Sequence, residues 1–415
     1  MNRLYTLIIV ILIGLGLTAY TVSPFWGFYA HKEINRMAVF TLPADMMPVF
    51  KKNIEFLTSQ SIGPDMRRFA SANEGIRHYI DIDHWGDEPF KDVPRTWSEA
   101  ILKFADYQII SGSDTILLRN VNHDLLPQNL QINNADNIDV EGLLPIFRRN
   151  FYRDLYGKRW ELPIDSVSSH IAYTDENNNT VELGAGALLK ITDRFSSFGI
   201  TPFNIASVHE RLIRAFEDHD LKRILRFSAD IGHYIADAHV PLHTSENYNG
   251  QLTNQKGIHA FWETRLPELF AEDEYNYLVG RAEFINDVPA YIWDVLEDTH
   301  SNLEDVLQIE LKLRETFPSD LQFCFEERND RTIRTQCREF SKAYHDEMNG
   351  MVEDQMRKAI RSIGSMWMTA WVMAGEPSMK QIAYEYTLSE DEREQLRNLR
   401  NKSREGEILG RQHGN

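Results

Sequence analysis

Cysteine is nearly absent from this chain. Two occur in 415 residues, Cys324 and Cys337, and two thiols this close together without histidines beside them do not build a zinc site. In an exported protein a local disulfide between them is expected, with two unpaired thiols as the alternative. Positive charge is also short: 44 Lys and Arg stand against 62 Asp and Glu, a formal charge of −18. Bulk electrostatics would therefore not draw in a polyanion, and a phosphate-bearing substrate would need a local positive centre, which bound divalent metal would supply. Internal repeats are missing and strand-like alternation is scarce. The helix motif His-Glu-x-x-His does not occur, which counts against a metalloprotease.

Long apolar runs are scarce as well. The one that stands out lies in residues 2–25, where Arg3 precedes an apolar stretch from Leu4 to Tyr20, closed by Ser23-Pro24-Phe25. A basic start and an apolar core of this length read as an export signal. The expected cut falls before Trp26, placing the protein in the periplasm or outside the cell. Left uncut, the run is nearly long enough to span a bilayer and would tie the chain to the outer face of the membrane.

What the chain has in quantity is helical periodicity. Ile224, Phe227, Ile231 and Ile235 recur at three- and four-residue steps and mark one apolar face. From Val352 to Ala374, residues Met356, Ile360, Ile363, Trp367, Ala370 and Trp371 mark another, and Gly375 with Pro377 supplies a stop. The expected fold class is all-α. With 42% apolar residues the chain has ample material for one large core. The expected organisation is a signal or anchor over 1–25, a main domain over 26–375 and a polar tail over 376–415. The pattern loosens between Asp83 and Leu221. An insertion is expected at about 85–200, with an Asn- and Asp-rich loop over 111–140 and a helix opening near Leu143-Leu144-Pro145. In the tail, Ser389 and Glu392 form a capping-box pattern.

Chemistry concentrates in His233-Tyr-Ile-Ala-Asp237-Ala-His239-Val-Pro-Leu-His243 and in His259-Ala-Phe-Trp-Glu263. On a helix, His233 and Asp237 project from one face one turn apart, and His259 with Glu263 repeats the arrangement. Imidazole nitrogen and carboxylate oxygen are donors that zinc accepts, and one rigid helix can present two of them. Pro241 should break the first helix and free His243 to face a different ion. Upstream stand His31, Asp65 in Gly-Pro-Asp65-Met-Arg-Arg68, and His78-Tyr-Ile-Asp81. Any one such pair is more often an ordinary hydrogen bond than a metal site; the accumulation shifts the balance.

This ordered set resembles the zinc-dependent phospholipase C and S1/P1 nuclease superfamily. The resemblance implies a multi-helix domain holding three zinc ions. One would be bound by Asp65, His78, His233 and Asp237. A second would take Trp26, through its free amine and carbonyl, with His31 and a bridging Asp237. The third would take His243, His259 and Glu263. It further implies that paired zinc ions lower the pKa of a shared water from ~15.7 toward ~7, so that it can attack a phosphate ester. Asp65 would orient that water, and Arg68 and Asp81 would lie near the phosphate, an ordinary salt bridge being the competing reading for the last two. His239 matches no ligand position. The expected substrate is a phosphodiester, either phospholipid or single-stranded nucleic acid, with no obligate protein partner. Gly257-Ile-His259-x-x-Trp-Glu263 leans toward the first, and Asp237-x-His-x-Pro-Leu-His243 toward the second. A zinc-stabilised binding or scaffold protein without catalysis is the alternative.

Overall fold

A computed structural model describes residues 28–86, 90–104, 195–328 and 331–383, with the backbone of eight short strands between 106 and 192 and of short helical stretches between 394 and 402. The segment 1–25, Trp26, the stretch from Leu143 to Leu155 and the pair Ser389 and Glu392 lie outside the described residues. Among the described residues no helix is long and apolar enough to cross a membrane.

The chain is mostly helical. The helices that matter for the site are α1 (Phe28–Ala38), α2 (Ile54–Gln60), α3 (Gly63–Arg67), α4 (Thr201–Glu217), α5 (Leu221–Ala238), α6 (Leu266–Glu274), α7 (Val288–His300), α8 (Leu303–Thr316), α9 (Arg338–Glu347) and α10 (Met351–Met373). Helix α5 is central and packs against α1, α2, α4 and α10. Asp220 starts it by accepting a hydrogen bond from the Arg223 amide at 3.1 Å, which satisfies an otherwise open donor of the first turn. Of its expected apolar face, Ile224, Ile231 and Ile235 are buried. Phe227 is half-buried, its ring flanked by the guanidinium groups of Arg211 and Arg223. All six expected residues of α10 are buried. Gly375, at φ +83°, closes α10: its amide bonds Val372 O and the Glu376 amide bonds Trp371 O, the reciprocal pair of a Schellman motif.

Two apolar clusters result. The larger joins α1, α4, α5, α7 and α10. The smaller joins Val240, Leu242 and the 258–270 stretch to α8 and α9 through Val306, Leu307, Phe340 and Tyr344. The end of α5 lies where one cluster gives way to the other, which puts Asp237 at the junction.

Strands are the unexpected element. Asp106–Ser111 (β1), Asp114–Leu117 (β2), Asp165–Ser169 (β5) and Leu188–Thr192 (β8) form an antiparallel sheet in the order β2-β1-β8-β5. Asn129–Ile132 (β3) pairs with Ala135–Asp139 (β4), and Ala172–Thr174 (β6) with Thr180–Glu182 (β7). The stretch 111–140, expected as a loop, thus carries paired strands. Each contains at most a few apolar residues, such as Leu130 and Ile132, too few for a period of two to stand out among Asn and Asp. Phe323–Arg328 (β9) and Arg331–Gln336 (β10) make a further hairpin. Cys324 and Cys337 are disulfide-bonded across its open end, the pairing expected from the sequence.

Candidate metal centre

Six separate segments deliver the donors. Helix α1 presents His31 from its buried face, α3 presents Asp65, and the residue after the 3-10 turn Ala72–Arg77 is His78. Helix α5 contributes His233 and Asp237 one turn apart. Pro241 ends the helical run and opens a 3-10 turn, Pro241–Thr244, that carries His243. Beyond it a short helix, Ile258–Ala260, widens into a π turn, Phe261–Arg265, so that His259 and Glu263 share a face. The six histidine and aspartate donors His31, His78, His233, Asp237, His243 and His259 are buried. Asp65 and Glu263 keep 20% and 18% of their side-chain surface, and so form the solvent-facing edge.

These side chains fall into three adjoining groups: Asp65, His78 and His233; His31, His233 and Asp237; and His243, His259 and Glu263. Asp237 divides its oxygens between them. Its Oδ2 lies 2.9 Å from His78 Nδ1 and 3.2 Å from His233 Nε2, while Oδ1 lies 3.4 Å from His31 Nε2 and 3.9 Å from His243 Nδ1. Asp65 Oδ1 completes the first group at 3.8 Å from both His78 Nδ1 and His233 Nε2. In the third group His243 Nε2 lies 3.0 Å from His259 Nε2, and Glu263 Oε2 lies 3.3 and 3.2 Å from the two.

Hydrogen bonding decides what those contacts are. His243 Nδ1 donates to His78 O at 2.6 Å, and His259 Nδ1 donates to Tyr248 O at 3.0 Å. A carbonyl can only accept, so in each neutral ring the proton sits on Nδ1 and Nε2 carries a lone pair. The two lone pairs then face each other and a carboxylate oxygen. His233 follows the same rule: Nδ1 donates to Ser61 O at 2.8 Å, leaving Nε2 as a lone pair 3.0 Å from His78 Nδ1 and beside Asp237. Acceptors packed on acceptors repel unless a cation sits among them. Donors around a tetrahedral ion with bonds of about 2.0–2.1 Å lie roughly 3.3 Å apart, which is where the spacings within the first and third groups centre. The residues fit a divalent metal.

Charge points the same way. Burial pushes the imidazoles of His31, His78 and His233 below the ordinary value of 6.5, so they stay neutral, and His233 itself adds to the effect on the other two. Burial raises the Asp237 carboxyl to about 7. Burial also works against the charged form of Glu263, but His259 and His243, when protonated, outweigh it and hold that carboxyl well below its ordinary value. A cation among these groups would favour the neutral-imidazole, ionised-carboxylate state that metal binding requires.

No family profile, curated protein or solved structure matches this chain.

The structure brings His31, Asp65, His78, His233, Asp237, His243, His259 and Glu263 together, while Trp26 lies outside the described residues. Arg68 is buried with Nη1 3.6 Å from Asp65 Oδ1. Asp81 is buried on the segment that ties to His243, where the Ile80 amide donates to His243 O at 2.9 Å. His239, which matches no ligand position, turns away: Nδ1 donates to Ile235 O at 2.8 Å and Nε2 lies 3.3 Å from Ser362 Oγ.

A supporting layer escaped the sequence reading. Buried Glu74 accepts from the Tyr234 hydroxyl and from Arg77 Nη1 at 2.7 Å. Arg67 Nη1 donates to Asp230 at 3.0 Å and Nη2 to Tyr234 at 3.2 Å, clamping α3 to α5 beside Asp65 and His233. Asp230 and Tyr234 stand four apart on α5, a spacing that could have flagged a second polar stripe. Asn35 Nδ2 donates to His31 O at 3.0 Å, and the absence of a side chain at Gly232 leaves room for it.

Proposed function

We propose that this protein is a zinc-dependent phosphodiester hydrolase. The observation that carries the reading is the convergence of lone-pair nitrogens and carboxylates from six segments into three adjoining groups, two of which meet at Asp237. The donor set, imidazole and carboxylate without sulfur, is compatible with zinc. The resemblance to zinc-dependent phospholipases C and S1/P1 nucleases supplies the reaction class.

Bound in these groups, zinc would lower the pKa of water and offset negative charge on a phosphate. The rest falls to the chain itself. His233, Asp237, His78 and Asp65 would hold one ion, His31 and Asp237 a second, and His243, His259 and Glu263 a third. The carbonyls of Ser61, His78 and Tyr248 fix the imidazole tautomers, so each Nε2 they control is ready to bind. Asp65, at the solvent-facing edge, is placed to accept a proton from attacking water. Arg68, beside it, offers a forked donor to phosphate oxygens, a local positive charge on a chain of net −18.

Purified, zinc-loaded protein assayed side by side on phosphatidylcholine vesicles, single-stranded DNA and RNA tests the proposal. Turnover of one of these that a chelator abolishes and zinc restores is expected. Full metal loading with no turnover on any of them would replace the enzyme with a metal-stabilised scaffold.

A further inference from the structure

We infer that Arg265 and Glu326 are positioning residues for Glu263, an inference that rests on the metal-centre reading above. Glu263 sits in the middle of the π turn Phe261–Arg265. A π turn is a rare departure from helical geometry and persists where surroundings hold it. Here both ends are gripped. At one end the Phe261 ring stacks on Tyr344 and Phe340 of α9, with centroids 4.8 and 5.8 Å apart.

At the other end the buried Arg265 guanidinium donates Nη1 to Glu326 Oε2 at 2.9 Å, Nη2 to Glu326 Oε1, and Nη2 also to Gln336 O at 3.0 Å. A desolvated guanidinium is stable only with such partners. Glu326 belongs to β9 and Gln336 to β10. Cys337, bonded to Cys324, is the residue that leads directly into α9. Glu326 and Gln336 thus lie inside the loop that the disulfide closes, and the α9 residues that hold Phe261 follow that loop directly in the chain. Among the contacts described, the loop and α9 supply no donor to the metal groups. Their effect on Glu263 is to set where that carboxylate lies against His243 and His259.

The test compares the full chain with Glu326→Gln, with Glu327→Gln, and with Cys324→Ser combined with Cys337→Ser. Glu327 neighbours Glu326 on β9 but is exposed and accepts from the nearby Thr332 hydroxyl, so it serves as control. Cadmium NMR gives each group its own signal, and competition titration gives its affinity. Glu326→Gln is expected to shift the signal of the His243, His259 and Glu263 group and to weaken binding there roughly 10–100-fold, the usual effect of losing an outer support. The other groups and Glu327→Gln should stay as in the unaltered chain, and the double serine variant should weaken the same group alone. Unchanged binding in Glu326→Gln, or equal weakening at all groups, overturns the inference while leaving the metal centre intact. If the unaltered chain takes up no metal at this group, the reading beneath fails and this one with it.

Discussion

Replacing Gly232 with alanine should loosen one metal group without touching a donor. Gly232 sits on α5 next to His233, and a Cβ there would lie 2.0 Å from Asn35 Oδ1 and 2.8 Å from Asn35 Cγ. Asn35 is fully buried and holds His31 O through Nδ2 at 3.0 Å, so it has no free space to retreat into. Overpacking of this kind costs roughly 1–3 kcal/mol. Losing the Asn35 bond adds about 1 kcal/mol, giving about 2–4 kcal/mol in all, or a fall in midpoint of roughly 2–5 °C for a chain of this size. The functional consequence is separate from stability. His31 Nε2 stands 3.4 Å from Asp237 Oδ1, and displacing α1 widens that gap. Metal titration should show the group of His31, His233 and Asp237 weakened roughly 10–100-fold, with the His243, His259 and Glu263 group unaffected. Combining Gly232→Ala with Asn35→Ala removes the clash and should recover part of the stability. An unchanged midpoint and unchanged metal affinity in the single variant would refute the reasoning.

Two further outcomes are expected. His209 is buried with Nε2 donating to Met366 O at 3.2 Å, and burial lowers its pKa from 6.5 to about 4. The unfolded chain therefore binds the extra proton first, so stability falls as pH drops from 6.5 toward 4, by about 2 kcal/mol at pH 5 from this group. Urea midpoints measured at pH 7 and pH 5 should show that acid slope reduced in His209→Gln, and an unchanged slope would be the contrary result. Arg67→Ala strips Asp230 and Glu74 of a shared cation. Because Arg67 keeps 26% exposure, the loss should be roughly 2–3 kcal/mol, short of the 3–5 for a fully buried pair. Chelator competition should also show the Asp65, His78 and His233 group weakened; intact affinity there would mean the clamp does not position Asp65.

The parts of this molecule legible in the sequence are those with a local period. The inner faces of α5 and α10 could be read because their apolar residues recur every three or four positions over long helices. The donor pairs His233 with Asp237 and His259 with Glu263 were legible for the same reason. That the donors would meet rested on resemblance, since nothing local in the sequence says that His31 faces a residue more than two hundred positions away. What could not be read depends on distant partners. Glu74 looks like a surface carboxylate until Tyr234, Arg67 and Arg77 close on it. Arg265 and Glu326 look like solvated charges until the hairpin folds back. The short strands between 106 and 192 hold too few apolar residues each to announce themselves. The widening of the 259–263 stretch into a π turn leaves the i, i+4 spacing unchanged and has no sequence mark.

The most direct test of the metal centre is anomalous diffraction at the zinc edge from crystals of the zinc-loaded protein. Peaks are predicted within about 2.0–2.3 Å of donors in each group: one among Asp65, His78, His233 and Asp237, one at His31 and Asp237, and one among His243, His259 and Glu263. A zinc-loaded crystal with no peak between His243 Nε2 and His259 Nε2, or with those two nitrogens turned apart, would contradict the account.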